Sequence, residues 1–350
     1  MSSLDPLVRP NIRALRPYSS ARSEFQGVAS VLLDANENPF ETGFNRYPDP
    51  LQRLLKDKIA EIKGVRAEQI FLGNGSDEAI DLLIRIFCEP GVDHILSLPP
   101  TYGMYRVSAD IANVPIVEVP LTADFQPDVD TILQRADAHS KLLFICSPNN
   151  PTANDIKLDH IRDILRRFSG VVVVDEAYID FSERASCTTL LDEFERLVVL
   201  QTFSKAWGLA GVRLGMAFAP PATIGLFNKV KPPYNINQLT QDAAYLALEN
   251  AEEKDQWVQE ILTERARLEE QLPTLACIEH VFPSQANFLL VRVGVPRELY
   301  QFLVERGIVV RDRSRMPGCT GCLRFTVGDP QENDLLLAAL RDYDLQNDQS

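Results

Sequence analysis

The hydrophobic and polar positions of residues 68–202 alternate between two patterns. The runs "EQIFLG", "KLLFICSP", "VVVVDEAY" and "RLVVLQ" are apolar over most of their length, which is typical of strands buried on both faces of a parallel sheet. "DHILSLPP" and "VPIVEVP" also have the character of strands. Between the strands, "SDEAIDLLIRIFCEPG" and "LDHIRDILRRF" carry apolar residues at the spacing of amphipathic helices. The alternation predicts an α/β fold with a mostly parallel, doubly wound sheet.

The pattern changes after this region. Residues 241–272 predict one long amphipathic helix. The segments after it are shorter, with strands in "NFLLVRV", "IVVRD" and "LRFTVG" and helices in "PRELYQFLVERG" and "QENDLLLAALRDY". We therefore expect a large domain over residues 36–267 and a small α+β domain over residues 268–350, to which an N-terminal arm, residues 1–35, contributes.

Composition and charge narrow the class of protein. The chain has 350 residues, of which 45% are hydrophobic and 24% charged, as in an ordinary globular enzyme. Its formal net charge of −14 argues against nucleic acid or an anionic membrane surface as the main partner. The N-terminal "MSSLDPLVRP" lacks the apolar segment of a signal peptide, and no apolar run has the length that spans a bilayer. We expect a soluble, cytoplasmic protein.

The six cysteines do not predict a metal site. Only Cys319 and Cys322 form a C-x-x-C pair, and no second pair or histidine cluster lies nearby in the sequence. Their "CTGC" runs into the strand-like "LRFTV", which favours a turn over the helix start of a thioredoxin-type redox pair. Dispersed thiols are typical of a reducing compartment.

The segment "GNGSDEAI", residues 73–80, has the composition of an anion site. Its glycines permit a tight turn, and Ser76 and Asp77 begin a helix whose free amides can bind phosphate. The same residues also form an ordinary N-cap. Taken alone, the segment is compatible with both interpretations.

Other polar residues follow the neighbouring strands. Asp175 ends the buried "VVVVD" and Tyr178 comes three residues later; the carboxylate either caps the next turn or pairs with a protonated ring nitrogen. In "CSPNNPT", we expect Asn149 and Asn150 to present their amides to the same edge of the sheet. Tyr102, in "PPTYGMY", is either a core aromatic residue or a cover for a planar ligand.

Lys205 lies just beyond the strand "RLVVLQ", in the segment "TFSKAWGLAGVRLG". Alone, it would be interpreted as a solvated loop charge. However, a lysine amine forms Schiff bases with carbonyls, and a pyridoxal ring needs an acidic partner at its nitrogen. Ser204 and Arg213 would add a hydroxyl and a cation to a phosphate site. Together, the groups at the strand ends predict a pyridoxal phosphate site.

The motifs of the chain resemble those of histidinol-phosphate aminotransferases in order and spacing, from "VRPNIRALRPY" to the last helix. They are "NENP", "NRYPDP", "GNGSDEAI", "PPTYGMY", "SPNNPT", "DEAYIDF", "TFSKAWGLAGVRLG" and "GCLRFTVG". The resemblance implies the aspartate aminotransferase fold (fold type I), the cofactor pyridoxal 5′-phosphate and a role in L-histidine biosynthesis. The implied reaction is L-histidinol phosphate + 2-oxoglutarate = imidazole acetol phosphate + L-glutamate.

Three alternatives stay open at this point. A threonine-phosphate decarboxylase and an aromatic-amino-acid aminotransferase use the same scaffold. A non-catalytic regulator built on it is disfavoured, because the chain is strongly acidic and has no room for a DNA-binding domain.

The resemblance also implies roles for individual residues. Lys205 would bind the cofactor's aldehyde and, once freed, move a proton at the substrate's α-carbon; Asp175 would pair with the ring nitrogen. Tyr178 and Asn150 would contact the ring's 3-oxygen, and Tyr102 would stack on the face of the ring. The residues implied to bind the phosphate are Ser76, Asp77, Thr202, Ser204 and Arg213. Tyr47 would reach the active site of a neighbouring subunit, which implies a homodimer.

The implied substrate site centres on Arg324. This arginine lies within the apolar "CLRFTV", where an unpaired cation is costly unless it binds a ligand. The residues implied to help it are Arg311, Asn287, Tyr18 and Tyr47.

One position departs from the pattern of the resemblance. Relatives usually carry glycine after "NNPT", whereas this chain has Ala153. Alanine disfavours positive φ, so we expect the turn to have no positive φ at this position and Asn150 to be undisturbed.

Overall fold

The computed structural model describes residues 4–18 and 30–347. Within these residues, the strands form one sheet of seven and one sheet of four. No helix in the described part of the chain is long and apolar enough to cross a membrane.

The larger sheet has the strand order β1-β7-β6-β5-β4-β2-β3. Its strands are β1 (Ile70–Asn74), β2 (His94–Ser97), β3 (Ile116–Glu118), β4 (Ser140–Cys146), β5 (Val171–Asp175), β6 (Leu197–Thr202) and β7 (Leu214–Phe218). Only β7, which the sequence analysis did not predict, runs antiparallel to its neighbours β1 and β6. The mostly parallel sheet is confirmed.

Helices cover both faces of this sheet. The helices of this part are α1 (Pro10–Ala14), α2 (Arg53–Lys63), α3 (Gly75–Phe87), α4 (Met104–Ile111), α5 (Val129–Arg135), α6 (Leu158–Arg167) and α7 (Pro221–Val230). Successive strand residues alternate between two apolar clusters, with Leu143 and Val172 in one and Leu142 and Val173 in the other. Burial on both faces explains why the central strands are apolar at nearly every position.

The predicted single helix over residues 241–272 is wrong. The chain forms α8 (Gln238–Glu249) and α9 (Ala251–Gln271), which are separated by Asn250 at φ −109° and ψ 37°. The Asn250 side-chain amide donates to the carbonyl of Leu246 at 3.0 Å. Asparagine side chains compete in this way for helix carbonyls, and the apolar spacing alone does not reveal the break.

The smaller sheet is antiparallel, with the order β10-β11-β9-β8. Its strands and remaining helices are β8 (Ile278–Val281), β9 (Phe288–Val293), α10 (Pro296–Glu305), β10 (Arg311–Asp312), β11 (Cys322–Thr326) and α11 (Pro330–Asn347). An apolar cluster joins the sheet to α9, α10 and α11. The small α+β unit is confirmed, although the strand predicted in "IVVRD" is reduced to two residues.

The proposed domain limits stay a prediction. The limit at residue 267 falls within α9, whose C-terminal Leu268 belongs to the apolar cluster of the smaller sheet. At the other end of the chain, Leu4 and Val8 are buried in a cluster of the larger sheet.

Candidate active site

A cavity of about 530 Å³, open to solvent, lies at the C-terminal ends of β4, β5 and β6 and at the start of α3. The lining residues are Gly75, Ser76, Asp77, Tyr102, Cys146, Asn150, Asp175, Ala177, Tyr178, Thr202, Ser204, Lys205 and Arg213. Every residue predicted to bind the cofactor, with the exception of Tyr47, is in this set. Parallel strands bring these residues together because their carboxyl ends meet at one edge of the sheet.

The start of α3 depends on two glycines. Gly75, the first residue of the helix, has φ +71°, and its N–H donates to the carbonyl of Arg213 at 2.9 Å. On β7, a Cβ at Gly215 would lie 2.2 Å from the backbone nitrogen of Ser76. Glycine at 215 therefore lets the strand contact the helix start, where free amides and the helix dipole favour an anion.

Arg213 places a cation beside these amides. It adopts the left-handed conformation, with φ 56°, and its guanidinium donates to Ser204 Oγ at 3.4 Å and to the carbonyl of Ala210 at 3.1 Å. Its Nη2 lies 4.0 Å from a carboxylate oxygen of Asp77. Thr202 Oγ1 accepts from the N–H of Ser204 at 3.1 Å, which fixes the loop. Hydroxyls, amides and a guanidinium thus surround one end of the cavity.

Glu78 and Asn235, which the sequence analysis did not identify as functional residues, form hydrogen bonds that stabilise the segment around the start of α3. The Glu78 carboxylate accepts from the N–H of Asn74 and from its side-chain amide. Asn235 donates to the carbonyl of Leu72 at 2.8 Å and accepts from Lys231 Nζ at 3.1 Å. Burial lowers the pKa of Lys231 to about 8. The contact between Asn235 and Leu72 joins segments 163 residues apart, for which no local pattern exists.

Asp175 also lines the cavity and is 2% exposed. Its Oδ2 accepts from the Tyr105 hydroxyl at 2.8 Å, and its Oδ1 accepts from the N–H of Ala177 at 3.2 Å. Burial raises the pKa of Asp175 to about 6, against the opposing effect of these two hydrogen bonds. A cationic partner would favour the ionised form of such a carboxylate.

Tyr105 was also missed by the sequence analysis. It is fully buried in α4 and stacks on Phe144, with 4.6 Å between ring centroids. In the sequence, nothing separates it from an ordinary core tyrosine.

Lys205 follows β6 and lines the cavity. Its ammonium lies 5.6 Å from the centroid of the Tyr178 ring. Partial burial, followed by the positive charge of Arg324, lowers the pKa of Lys205. A lowered pKa increases the fraction of neutral amine, which is the nucleophilic and basic form.

The two aromatic residues of the cavity are held by hydrogen bonds. Tyr102 donates to Asp77 Oδ1 at 3.1 Å, and the Tyr178 hydroxyl accepts from the Asn150 side-chain amide at 3.4 Å. Burial raises the pKa of both phenols, so they are protonated hydrogen-bond donors at neutral pH.

The structure distinguishes Asn149 from Asn150, two residues that we expected to present their amides to the same edge of the sheet. Its amide nitrogen donates to the carbonyl of Pro100 at 2.8 Å and to Thr152 Oγ1 at 2.6 Å, and its carbonyl accepts from Thr101 at 3.1 Å. These bonds satisfy the side chain within the turn. Asn149 therefore stabilises the loop, whereas Asn150 lines the cavity.

The prediction that Ala153 has no positive φ is wrong. Ala153 has φ 63° and is fully buried. Its N–H donates to the carbonyl of Asn149 at 2.7 Å, and its carbonyl accepts from the N–H of Gln285 at 2.7 Å. These two bonds hold a left-handed alanine, so the turn keeps positive φ without glycine.

Arg324 joins the smaller sheet to the cavity. Its Nη1 donates to Asn150 Oδ1 at 2.7 Å, and its guanidinium lies 5.0 Å from the centroid of the Phe288 ring. Arg311 is the register partner of Arg324 in the sheet and is exposed. Asn287, half-buried, precedes β9, and its carbonyl accepts from the N–H of Val327 at 2.9 Å. Arg324 therefore contacts a residue of the cavity and Arg311 lies beside it in the sheet, while the roles of Arg324, Arg311 and Asn287 in substrate binding stay predictions.

Tyr47 and Tyr18 do not line the cavity of their own chain. Tyr47 is 50% exposed and stacks on Tyr234, with 4.4 Å between centroids. It lines a separate depression together with Phe44 and Leu239. Tyr18 is 76% exposed. A contribution of Tyr47 to a neighbouring subunit, and any role of Tyr18, stay predictions.

The fold and the site define a transferase of the pyridoxal phosphate type, and sequence comparison agrees. The chain belongs to the family described as "Aminotransferase class I and II", which matches residues 22–340. The predicted family, fold and enzyme class are confirmed.

Two similar proteins indicate a particular enzyme within this family. A histidinol-phosphate aminotransferase of Parabacteroides distasonis is 54% identical over 99% of this chain and 100% of its own length. One of Cytophaga hutchinsonii is 53% identical over 97% and 99%.

Solved structures agree with these relatives. The histidinol-phosphate aminotransferase of Clostridium acetobutylicum has a TM-score of 0.80 and 26% identity, covering 87% of this chain and 92% of the other. That of Sinorhizobium meliloti, solved in complex with pyridoxal-5′-phosphate, has a TM-score of 0.76 and 25% identity, covering 86% and 83%.

Proposed function

We propose that this chain is a pyridoxal-phosphate-dependent aminotransferase of L-histidine biosynthesis, with the reaction L-histidinol phosphate + 2-oxoglutarate = imidazole acetol phosphate + L-glutamate. The observation that carries the proposal is one cavity lined by the Lys205 amine, the buried Asp175 carboxylate and the start of α3, with the Arg324 guanidinium bound to the lining residue Asn150 at 2.7 Å. Full-length relatives at 54% and 53% identity support the choice of substrate.

The residues of the cavity fit pyridoxal phosphate. A buried carboxylate suits a protonated ring nitrogen, an amine suits the aldehyde, and the helix start suits the phosphate. In this assignment, Lys205 holds the aldehyde, Asp175 faces the nitrogen and Tyr102 covers the ring. The residues assigned to the phosphate are Ser76, Asp77, Thr202, Ser204 and Arg213, and those assigned to the 3-oxygen are Tyr178 and Asn150. When bound, pyridoxal phosphate supplies the carbonyl that accepts the amino group and a ring that takes up electrons.

Lys205 and Asp175 then have separate tasks. Lys205 Nζ would carry the proton away from the α-carbon of the amino donor as a general base in one half-reaction, and would deliver a proton to the α-carbon of the keto substrate as a general acid in the other; its lowered pKa favours the basic form. Asp175 holds the proton at the ring nitrogen by its negative charge. Tyr105, which donates to Asp175 Oδ2 at 2.8 Å, keeps the carboxylate oriented.

Arg324 binds the anionic end of both substrates in this proposal. A guanidinium presents paired donors that match a carboxylate and a phosphate equally well. Arg311 is close to it in the sheet, and Asn287 and Tyr18 are proposed as further contacts.

The proposal includes a homodimer in the cytoplasm. Phe44, Tyr47 and Leu239 line one depression while being 66%, 50% and 62% exposed, and exposed apolar patches favour protein contacts. All six cysteines are free, as a reducing compartment keeps them. Sedimentation of the purified chain at twice the monomer mass of 39.3 kDa would support the dimer.

A coupled assay tests the proposed reaction. The holoenzyme is given glutamate with imidazole acetol phosphate or with phenylpyruvate, and 2-oxoglutarate is measured. We expect kcat/KM to be about tenfold or more higher with imidazole acetol phosphate, because phenylpyruvate lacks the phosphate. Preference for phenylpyruvate would select an aromatic-amino-acid aminotransferase. Carbon dioxide release from threonine phosphate, without glutamate turnover, would select a decarboxylase.

A further inference from the structure

Arg313 lies next to the predicted substrate arginines and has no role in the site described so far. It follows β10 directly, and its N–H donates to the carbonyl of Cys322 at 3.0 Å, which continues the ladder with β11. Residues 311 and 313 are two positions apart and therefore project to the same face of the ladder. Among the described residues, the buried Nε of Arg313 has no hydrogen-bond partner, and the same is true of Arg324 Nε.

The three guanidinium groups form an unpaired cationic cluster, which we call the arginine cluster: Arg311, Arg313 and Arg324. Burial, followed by the charges of Arg324 and Arg311, lowers the pKa of Arg313. Within residues 4–18 and 30–347, no salt bridge joins any member of the cluster to a carboxylate. By contrast, Arg184 contacts Glu176 at 2.9 Å.

The cluster faces the cofactor cavity. The positive charges of Arg324 and Arg313 both act to lower the pKa of the Tyr178 phenol, although burial outweighs them. Arg324 itself contacts Asn150, a lining residue, at 2.7 Å. Like charges repel one another, so binding of an anion would stabilise the cluster.

The number of cations suits a phosphate monoester better than a carboxylate. A phosphate monoester carries nearly two negative charges and three acceptor oxygens at neutral pH, whereas a carboxylate carries one charge and two oxygens. In histidinol phosphate, the phosphorus is also two bonds farther from the α-carbon than the corresponding carboxylate carbon of glutamate. A second or third arginine therefore adds more to the binding of the phosphate than to the binding of the carboxylate.

We propose that Arg313 is a specificity-determining residue, which binds the phosphate of the phosphorylated substrate and contributes little to the binding of glutamate. This inference rests on the proposed function, because it takes the substrate to be a phosphate monoester.

The substitution Arg313→Gln in the holoenzyme tests the inference. We expect kcat/KM for L-histidinol phosphate to fall roughly 10- to 100-fold, the usual effect of losing a charged hydrogen bond, while kcat/KM for glutamate falls less than about threefold. Arg313→Lys, which keeps the charge and loses the fork, gives an intermediate loss. Arg315→Gln, an exposed arginine two residues on, is the matched control and leaves both values unchanged.

Binding of inorganic phosphate to the holoenzyme, measured by calorimetry, is a second readout. Phosphate affinity falls in Arg313→Gln and Arg313→Lys and stays unchanged in Arg315→Gln. An equal or larger loss for glutamate, or phosphate affinity that is independent of residue 313, overturns the inference. If Arg313→Gln does not fold, Arg313→Lys carries the test. A wild-type enzyme that binds phosphate through Arg313 without turning over histidinol phosphate overturns the proposed reaction alone.

Discussion

The two ends of the candidate site are built on different principles. At the edge of the larger sheet, polar side chains bind one another: Asp175 accepts from Tyr105 at 2.8 Å, and Asp77 accepts from Tyr102 at 3.1 Å. In the arginine cluster on the smaller sheet, no described carboxylate pairs with a guanidinium, and Arg324 donates a hydrogen bond to the side chain of Asn150.

This difference indicates what each end requires. The cofactor end is organised before any ligand binds, because its groups hold their positions through internal hydrogen bonds. The arginine cluster keeps uncompensated charge, which an anionic substrate can neutralise. The bond from Arg324 to Asn150 connects the two ends, so we expect changes at one end to be felt at the other.

Among the variants that compare the two ends, the largest effect is expected from Asp175→Asn, which removes the charge at the organised end. Loss of a preorganised electrostatic partner lowers kcat by roughly 10²- to 10³-fold. Asp57→Asn, at an exposed aspartate on α2, is the control and leaves kcat unchanged. A holoenzyme with Asp175→Asn that keeps the wild-type kcat would contradict the assignment of Asp175.

The same substitution, Asp175→Asn, is expected to stabilise the cofactor-free chain, although it lowers kcat in the holoenzyme. The pKa of Asp175 is raised from 3.8 in the unfolded chain to about 6 in the fold, so the folded state binds more protons between these values. The stability of the wild type therefore falls as pH rises from about 4 to about 6, by about 3 kcal/mol in total. Asp175→Asn lacks this loss. We expect its advantage in Tm over the wild type to be larger at pH 8 than at pH 4.5; an equal advantage at both pH values would refute the explanation.

The next effect on activity is expected at the arginine cluster. Arg324→Gln removes the guanidinium that contacts Asn150, and we expect kcat/KM to fall about 100-fold for both glutamate and L-histidinol phosphate. Arg324→Lys is expected to lose less, because it keeps the charge. Steady-state kinetics with each substrate give the measurement, with Arg315→Gln as the control. A loss confined to one substrate would contradict a shared role for Arg324.

The smallest effect is expected at the loop between the two ends. Ala153→Gly relieves a left-handed alanine, worth about 1–2 kcal/mol, and costs about 0.5–1 kcal/mol of backbone entropy. The free energy of unfolding should change by about 1 kcal/mol or less, with kcat unaltered. Ala153→Val, β-branched in the same conformation, should destabilise by about 2 kcal/mol or more. Denaturant unfolding measures both. A loss above 2 kcal/mol in Ala153→Gly would show that the alanine methyl, and not the backbone, matters there.

The strand ends of the larger sheet could be predicted from the sequence. Lys205 and Asp175 each follow an apolar run, and parallel strands necessarily bring their carboxyl ends to one edge. Residue type and position along the chain were therefore sufficient to group them.

The rest of the site depends on long-range geometry. Arg313 and Tyr105 gain their significance from the register of β10 with β11 and from the packing of α4 on β4, which no local pattern encodes. The positive φ of Ala153 arises because two backbone hydrogen bonds outweigh a residue preference. The break at Asn250 follows from one side-chain amide within otherwise helical spacing.

Identification of the lysine that binds the cofactor tests the central claim most directly. The holoenzyme is reduced with borohydride and digested, and the labelled peptide is sequenced. We predict that the label is on Lys205 and that Lys205→Ala loses the visible absorption band and about 10⁴-fold in kcat. The chain has internal competitors, because burial also lowers the pKa of Lys56 and of Lys231 to about 8. A label on Lys56, Lys231 or any other lysine would contradict the account.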